Sequence, residues 1–208
     1  MLIYMNSQEN KLINYSKKNM SLDKFKKSNT KIKDLIVVNR NNFIDSRGSL
    51  LRIFSKKGFN KLGYAEIIDS INVTEVKNKG TIKGFHFQKP PHSEIKIVTC
   101  IKGSISDVAI DLRSSSKTFL CHHVEKLSER NKKSLIIPKG FAHGFQALEN
   151  NCIILYIHSN SYQKKSESGL NVLDKKLNVK WPIKINKISK RDRGFKYIDN
   201  NFKGLKIE

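Results

Sequence analysis

The sequence predicts a mainly β domain, an antiparallel barrel or jelly roll, and three observations lead there. Short segments rich in Ile, Val and Phe recur at intervals of roughly 8–15 residues. Turn residues punctuate them at Gly103, Ser114–Ser116, Asn131–Lys133 and Asn150-Asn151. Two Gly- and Phe-rich segments, Gly84-Phe85-His86-Phe87-Gln88 and Gly140-Phe141-Ala142-His143-Gly144-Phe145, each enclose one histidine and read as the lining of a β pocket. That rhythm fits an antiparallel architecture better than alternating βαβ units.

Taken in order, residues 1–28 are polar and Lys-rich and read as an N-terminal extension, with a short helix expected over Leu22–Lys27 and an alternative start at Met20. Residues 29–208 form the expected domain. Strands are expected at Ile32–Val38, Leu50–Phe54, Ala65–Val73, Ile95–Ile101, Ile105–Leu112, Phe119–Leu127, Ser134–Pro138 and Cys152–His158, with a turn at Asp45-Ser46-Arg47-Gly48. Beyond Gly169 the pattern weakens, and the lone Trp181 reads as core packing.

The bulk numbers set limits. The chain has 208 residues, 38% of them hydrophobic, enough for one full core. Cys100, Cys121 and Cys152 are odd in number and irregularly spaced, which argues against a disulfide framework and for reduced thiols in the cytoplasm. No apolar run approaches the roughly 20 residues of a membrane helix, and Met1–Met5 is too short for a signal segment. The net charge of +22 comes from lysines spread along the whole chain, so we read a solvated basic surface and an anionic small-molecule partner, with no nucleic acid and no membrane.

The candidate chemistry gathers around His86, His143 and Lys96. In Glu94-Ile95-Lys96-Ile97-Val98, strand alternation sets Lys96 opposite Ile95 and Ile97. If that face is the interior, the ammonium needs an anionic partner or a developing anion. A metal site would require three or four converging ligands. The His-x-His half of such a site fails because Gln88 stands two residues after His86, and His92 and Glu94 sit beside Pro90-Pro91 in an expected loop. Asp107 and Asp111 share a strand face and read as buried supporters, and Arg113 as structural.

Several ordered motifs then carry a resemblance. They are Asp45–Gly48, Gly80-Thr81-Ile82-Lys83-Gly84-Phe85-His86-Phe87-Gln88, Lys96, Asp107–Arg113, Ile137–Phe145, Tyr156, Tyr162 with Glu167, Trp181-Pro182 and Ser189-Lys190-Arg191-Asp192. From about Asn29 to Asp192 the chain resembles the dTDP-4-dehydrorhamnose 3,5-epimerases, the RmlC-type sugar-nucleotide epimerases. The resemblance implies an RmlC-like cupin jelly roll with short peripheral helices, a homodimer, no cofactor and no metal. It also implies a nucleotide-diphosphate 4-keto-6-deoxy sugar as substrate. It casts His86 as the base, Asp192 as the carboxylate that orients it, Lys96 as the cation at the enolate oxygen and Tyr156 as the acid. Arg47, Asn72, Lys83, His143, Glu167 and Arg191 fall on substrate-binding positions. Lys83 stands where arginine is usual, Arg52 where glutamate is common, Ser70 where glutamine is common and Arg191 where lysine is usual. The Lys83, Arg52 and Ser70 departures bear on the nucleotide side, so a 3-epimerase or ketoisomerase with another nucleotide sugar is the nearest rival. A non-catalytic anion- or sugar-binding barrel is the rival from another class.

Overall fold

A computed structural model describes residues 25–207. Two antiparallel sheets pack face to face. The first contains β1 (Phe25–Asn29), β2 (Ile36–Arg40), β10 (Lys133–Ile137), β7 (Lys96–Lys102), β12 (Cys152–His158) and β5 (Ser70–Val76), in that spatial order. The second contains β13 (Glu167–Gly169), β6 (Thr81–Gln88), β11 (Phe141–Ala147), β8 (Ser104–Asp111) and β9 (His122–Ser128), with β14 (Lys187–Ile188) added parallel to β6. A separate hairpin is formed by β3 (Asn42–Asp45) and β4 (Gly48–Leu51). The expected jelly roll is present, and among the described residues it carries two short helices, α1 (Lys56–Lys61) and α2 (Lys190–Arg193).

The alternation of each strand explains the layers. Val98 and Cys100 of β7, Ile154 of β12, Ile105 and Ala109 of β8, and Phe145 of β11 point inward and form one core between the sheets. The outer face of the first sheet, through Ile97 and Ile157, is covered by Phe59, Leu62 and Tyr64 of the α1 region. The outer face of the second sheet, through Phe85, Val108 and Ile110, is covered by Leu170, Val172, Leu177 and Trp181 from the tail. The weak patterning after Gly169 therefore belongs mainly to a covering layer, with the short β14 inside it. Trp181 stacks on Phe85 with centroids 5.7 Å apart and donates to the Val172 carbonyl, the core role expected of it.

Several boundaries differ from the sequence reading. The expected extension ends at Ser28 and its expected helix at Lys27, but Phe25–Asn29 is a strand paired with β2. Its Phe25 packs on Phe59, which gives the segment a place in the sheet. The rest of the expected extension lies outside the described residues. Strand β9 begins at His122 rather than Phe119, because Ser116 and Thr118 donate to Asp111 and hold the preceding residues in a turn. Strand β5 begins at Ser70 and runs on to Val76, where it pairs with β12. Helix α1, which the strand reading passed over, starts at Ser55, whose side chain caps the Gly58 N–H.

Candidate active site

At one end of the sandwich the inward positions turn from apolar to polar. A cavity of about 500 Å³ opens there. The first sheet supplies Asn72, Thr74, Lys96, Tyr156 and His158, and the second supplies Lys83, His86, His143 and Phe145. Helix α2 and its cap close the rim with Ser189, Arg191 and Asp192. The size suits a small-molecule ligand.

A bulge sets the second wall. His143 pairs with His86 but Phe145 pairs with Lys83, so β6 carries one residue more than β11 across this stretch. In a regular strand, positions 83 and 86 would face opposite sides. The extra residue turns both into the cavity. The crossing also brings the backbones close: a Cβ on Gly144 would lie 2.7 Å from Phe85 and 2.8 Å from the Lys83 carbonyl. Gly144→Ala is expected to destabilise the protein by about 1–3 kcal/mol and to lower activity with it. Thermal unfolding alongside a turnover assay checks this.

His86 is bound to Asp192 through Nε2 and Oδ1 at 2.8 Å. Asp192 is buried, and its second oxygen accepts from the Gly84 N–H at 3.2 Å. Ser189 caps α2 by accepting from the Asp192 N–H, which fixes the carboxylate relative to β6. Burial pushes the Asp192 carboxyl up, but the His86 and Gly84 contacts outweigh it and hold the group below its ordinary value. With Asp192 anionic, Nε2–H donates to Oδ1 and the ring's lone pair lies on Nδ1. Arg191 also approaches Nε2, at 3.0 Å, while bonding Glu167 at 3.0 Å. One nitrogen cannot serve both, and Arg191, 55% exposed, is the partner free to move.

The opposite wall carries Tyr156, packed edge-on to His143 at 6.0 Å and against the apolar core. Burial, then the charges of Asp107 and Cys100, raise its phenol well above the usual tyrosine value. It therefore stays protonated more firmly than an ordinary tyrosine. Lys96 lies on the same wall, paired with Glu94 at 3.2 Å. His143 donates to the fully buried Asp107 at 2.7 Å, so Asp107 supports the site through that histidine. Burial pushes His143 down despite Asp107, which keeps it neutral.

Of the ten site residues read from the sequence, His86, Lys96, Tyr156, Asp192, Asn72, Lys83, His143 and Arg191 line this cavity. Glu167 joins through Arg191 and through Tyr162, whose hydroxyl donates to it at 2.9 Å. Arg47 is not brought there: it sits on the β3–β4 hairpin, 88% exposed and paired with Asp45. Ser70 is the cross-strand partner of His158, so this departure borders the first wall of the cavity. The reading missed His158 and the role of Glu94, although His158 stands two residues after Tyr156 and Glu94 two before Lys96, spacings that place each pair on one strand face. Among the described residues no three His, Cys, Asp or Glu side chains converge as a metal cluster would.

The family model described as dTDP-4-dehydrorhamnose 3,5-epimerase matches residues 29–200. A protein of that name from Shigella flexneri is 34% identical over 175 residues, 83% of this chain and 96% of that one. The dTDP-4-dehydrorhamnose 3,5-epimerase of Bacillus anthracis, solved with TDP and PPi bound, superposes with a TM-score of 0.81 at 34% identity, covering 84% of this chain and 99% of that one. The Legionella pneumophila enzyme, solved in complex with dTDP-4-keto-L-rhamnose, gives 0.82 at 29% identity, over 88% of this chain and 99% of that one.

Proposed function

The chain belongs to the dTDP-4-dehydrorhamnose 3,5-epimerase family, and from that premise we propose that it converts dTDP-4-dehydro-6-deoxy-D-glucose to dTDP-4-dehydro-L-rhamnose. The observation that carries this is a base and an acid on facing walls of one cavity, with a lysine beside the acid. His86 reaches in from the second sheet and Tyr156 from the first. A hydrogen next to the C4 ketone is acidic because its removal gives an enolate. His86 Nδ1 takes that proton, Lys96 stabilises the oxygen as charge develops, and Tyr156 returns a proton to the other face. Inversion follows from the placement of the two groups on different sheets. Lys83 and Arg191 supply cationic character at the rim for the diphosphate, and Asn72 and His143 contact the sugar nucleotide.

A homodimer completes the reading. Arg47 lies outside the cavity of its own chain, and Ile44 and Leu50 on the hairpin, with Ile71 and Val73 on edge strand β5, present apolar surface to solvent. A second copy over this surface would receive Arg47 into its own site. Mixing inactive Arg47→Ala and His86→Asn proteins is then expected to restore activity, and no restoration after subunit exchange would contradict the arrangement. The nucleotide-sugar substrate and the three free cysteines fit a cytoplasmic enzyme.

Product analysis by NMR with dTDP-, GDP- and CDP-linked 4-keto-6-deoxy sugars tests the proposal. Turnover of the dTDP sugar with inversion at both C3 and C5 is the expected result. Turnover only of another nucleotide sugar, or inversion at one carbon, would replace it with the narrower rival.

A further inference from the structure

The first wall of the cavity holds a second imidazole–carboxylate pair. Glu94 divides its oxygens: Oε1 lies 3.2 Å from Lys96 Nζ and Oε2 lies 2.6 Å from His158 Nδ1. All three side chains are largely buried, with 13% of Lys96, 11% of Glu94 and 15% of His158 exposed. Lys96 and His158 are cross-strand partners in β7 and β12, so the arrangement is set by the register of the sheet. His158 is also two residues from Tyr156 on the same face, and their rings stack with centroids 5.9 Å apart and planes 27° apart. Both rings line the cavity. His158 meets Glu94 through Nδ1, so Nε2 is the nitrogen left to exchange a proton.

As at His86 and Asp192, a carboxylate holds one ring nitrogen, and such a pair can pass between imidazole and imidazolium as a proton is given or taken. We propose that His158, oriented by Glu94, resupplies the proton that Tyr156 delivers to the sugar carbon. The inference rests on the epimerase reading above.

The Tyr156 O–H bond breaks as a C–H bond forms, and the enolate's electron pair returns the C4 carbonyl. The phenolate left behind takes the Nε2 proton of the His158 imidazolium, directly or through one water. Neutral His158 keeps its Nδ1–H on Glu94 and is recharged from solvent at the cavity mouth, while His86 releases its proton to solvent. Lys96 is committed to Glu94 and to the enolate oxygen. His143 packs edge-on to Tyr156, but burial holds it neutral and Asp107 occupies its Nε2, so it has no spare proton to give. A substrate inverted at two carbons draws on Tyr156 twice, so recharging decides whether the second inversion precedes release.

The test follows His158→Phe, which keeps a ring against Tyr156 and removes both nitrogens, and His158→Ala with and without added imidazole, each beside the wild type. Expected are a fall in kcat of about tenfold or more, little change in KM, a rise in the singly inverted product, and recovery of His158→Ala by imidazole. A wild-type product ratio and kcat in His158→Phe would overturn the inference. So would a fall in kcat with an unchanged ratio and no imidazole response, since that marks a structural role. Thermal unfolding of each variant identifies any loss that is folding alone, and Glu94→Gln should reproduce the altered ratio in milder form. If the wild type itself inverts neither carbon, the epimerase reading fails instead, so the two failures are distinguishable.

Discussion

His86→Asn is expected to lower kcat by about 10³-fold and to abolish deuterium entry into the substrate from deuterated water. The amide keeps a donor toward Asp192, so the short helix and the bulge of β6 keep their anchor, but no basic nitrogen faces the sugar. The Asp192 carboxylate meets His86 and accepts from the Gly84 N–H, and the Asp192 backbone N–H donates to Ser189. It is therefore a poor substitute base. The expectation is a specific loss of exchange with thermal stability near that of the wild type. Exchange at the wild-type rate in this variant would assign the base elsewhere.

Tyr156→Phe is expected to separate exchange from inversion. His86 would still remove a proton and return deuterium to the same face, so label would accumulate in unconverted substrate. Formation of inverted product would fall by about 10²–10⁴-fold, the range for losing a positioned acid. The packing against His143, His158 and the apolar core would survive, because the ring remains. The pH dependence carries a sign. Burial raises the Tyr156 phenol well above its ordinary value near 10, so the proton needed for donation is retained as pH rises through that value. The alkaline limb of kcat is then set by another group and should keep its position in the residual activity of Tyr156→Phe. A limb that disappears with the tyrosine would contradict this.

Much of the architecture could be read from the chain because the strands alternate cleanly. Ile97 and Val98, or Ile157 and Tyr156, sort to opposite faces by their spacing alone, and the placement of Lys96 inward follows from the same rule. The pairing of His86 with Asp192 spans 106 residues, and no local pattern contains it; only the resemblance across ordered motifs brought them together. Alternation misleads at Lys83 and His86, whose shared face depends on a bulge that a period-two reading cannot generate. Phe25–Ser28 reads as part of the extension because its Lys and Ser content is that of a solvated segment. It is an edge strand with one buried-side anchor, Phe25, and edge strands tolerate such polar sequences. Glu94 was judged a loop residue from its neighbouring prolines, yet the chain returns to the sheet within two residues and delivers the carboxylate to Lys96 and His158. Arg47 shows the limit of a single chain: its hairpin is well formed, but its place relative to the cavity requires the proposed second copy.

The central claim is that one cavity removes a proton from one face of the sugar and returns it to the other at two carbons. Incubating the wild-type protein with dTDP-4-dehydro-6-deoxy-D-glucose in deuterated water, and locating the label by NMR, tests this most directly. The expected result is deuterium at both C3 and C5, in product of inverted configuration. Absence of deuterium from both carbons, or inversion without any exchange with solvent, would contradict it.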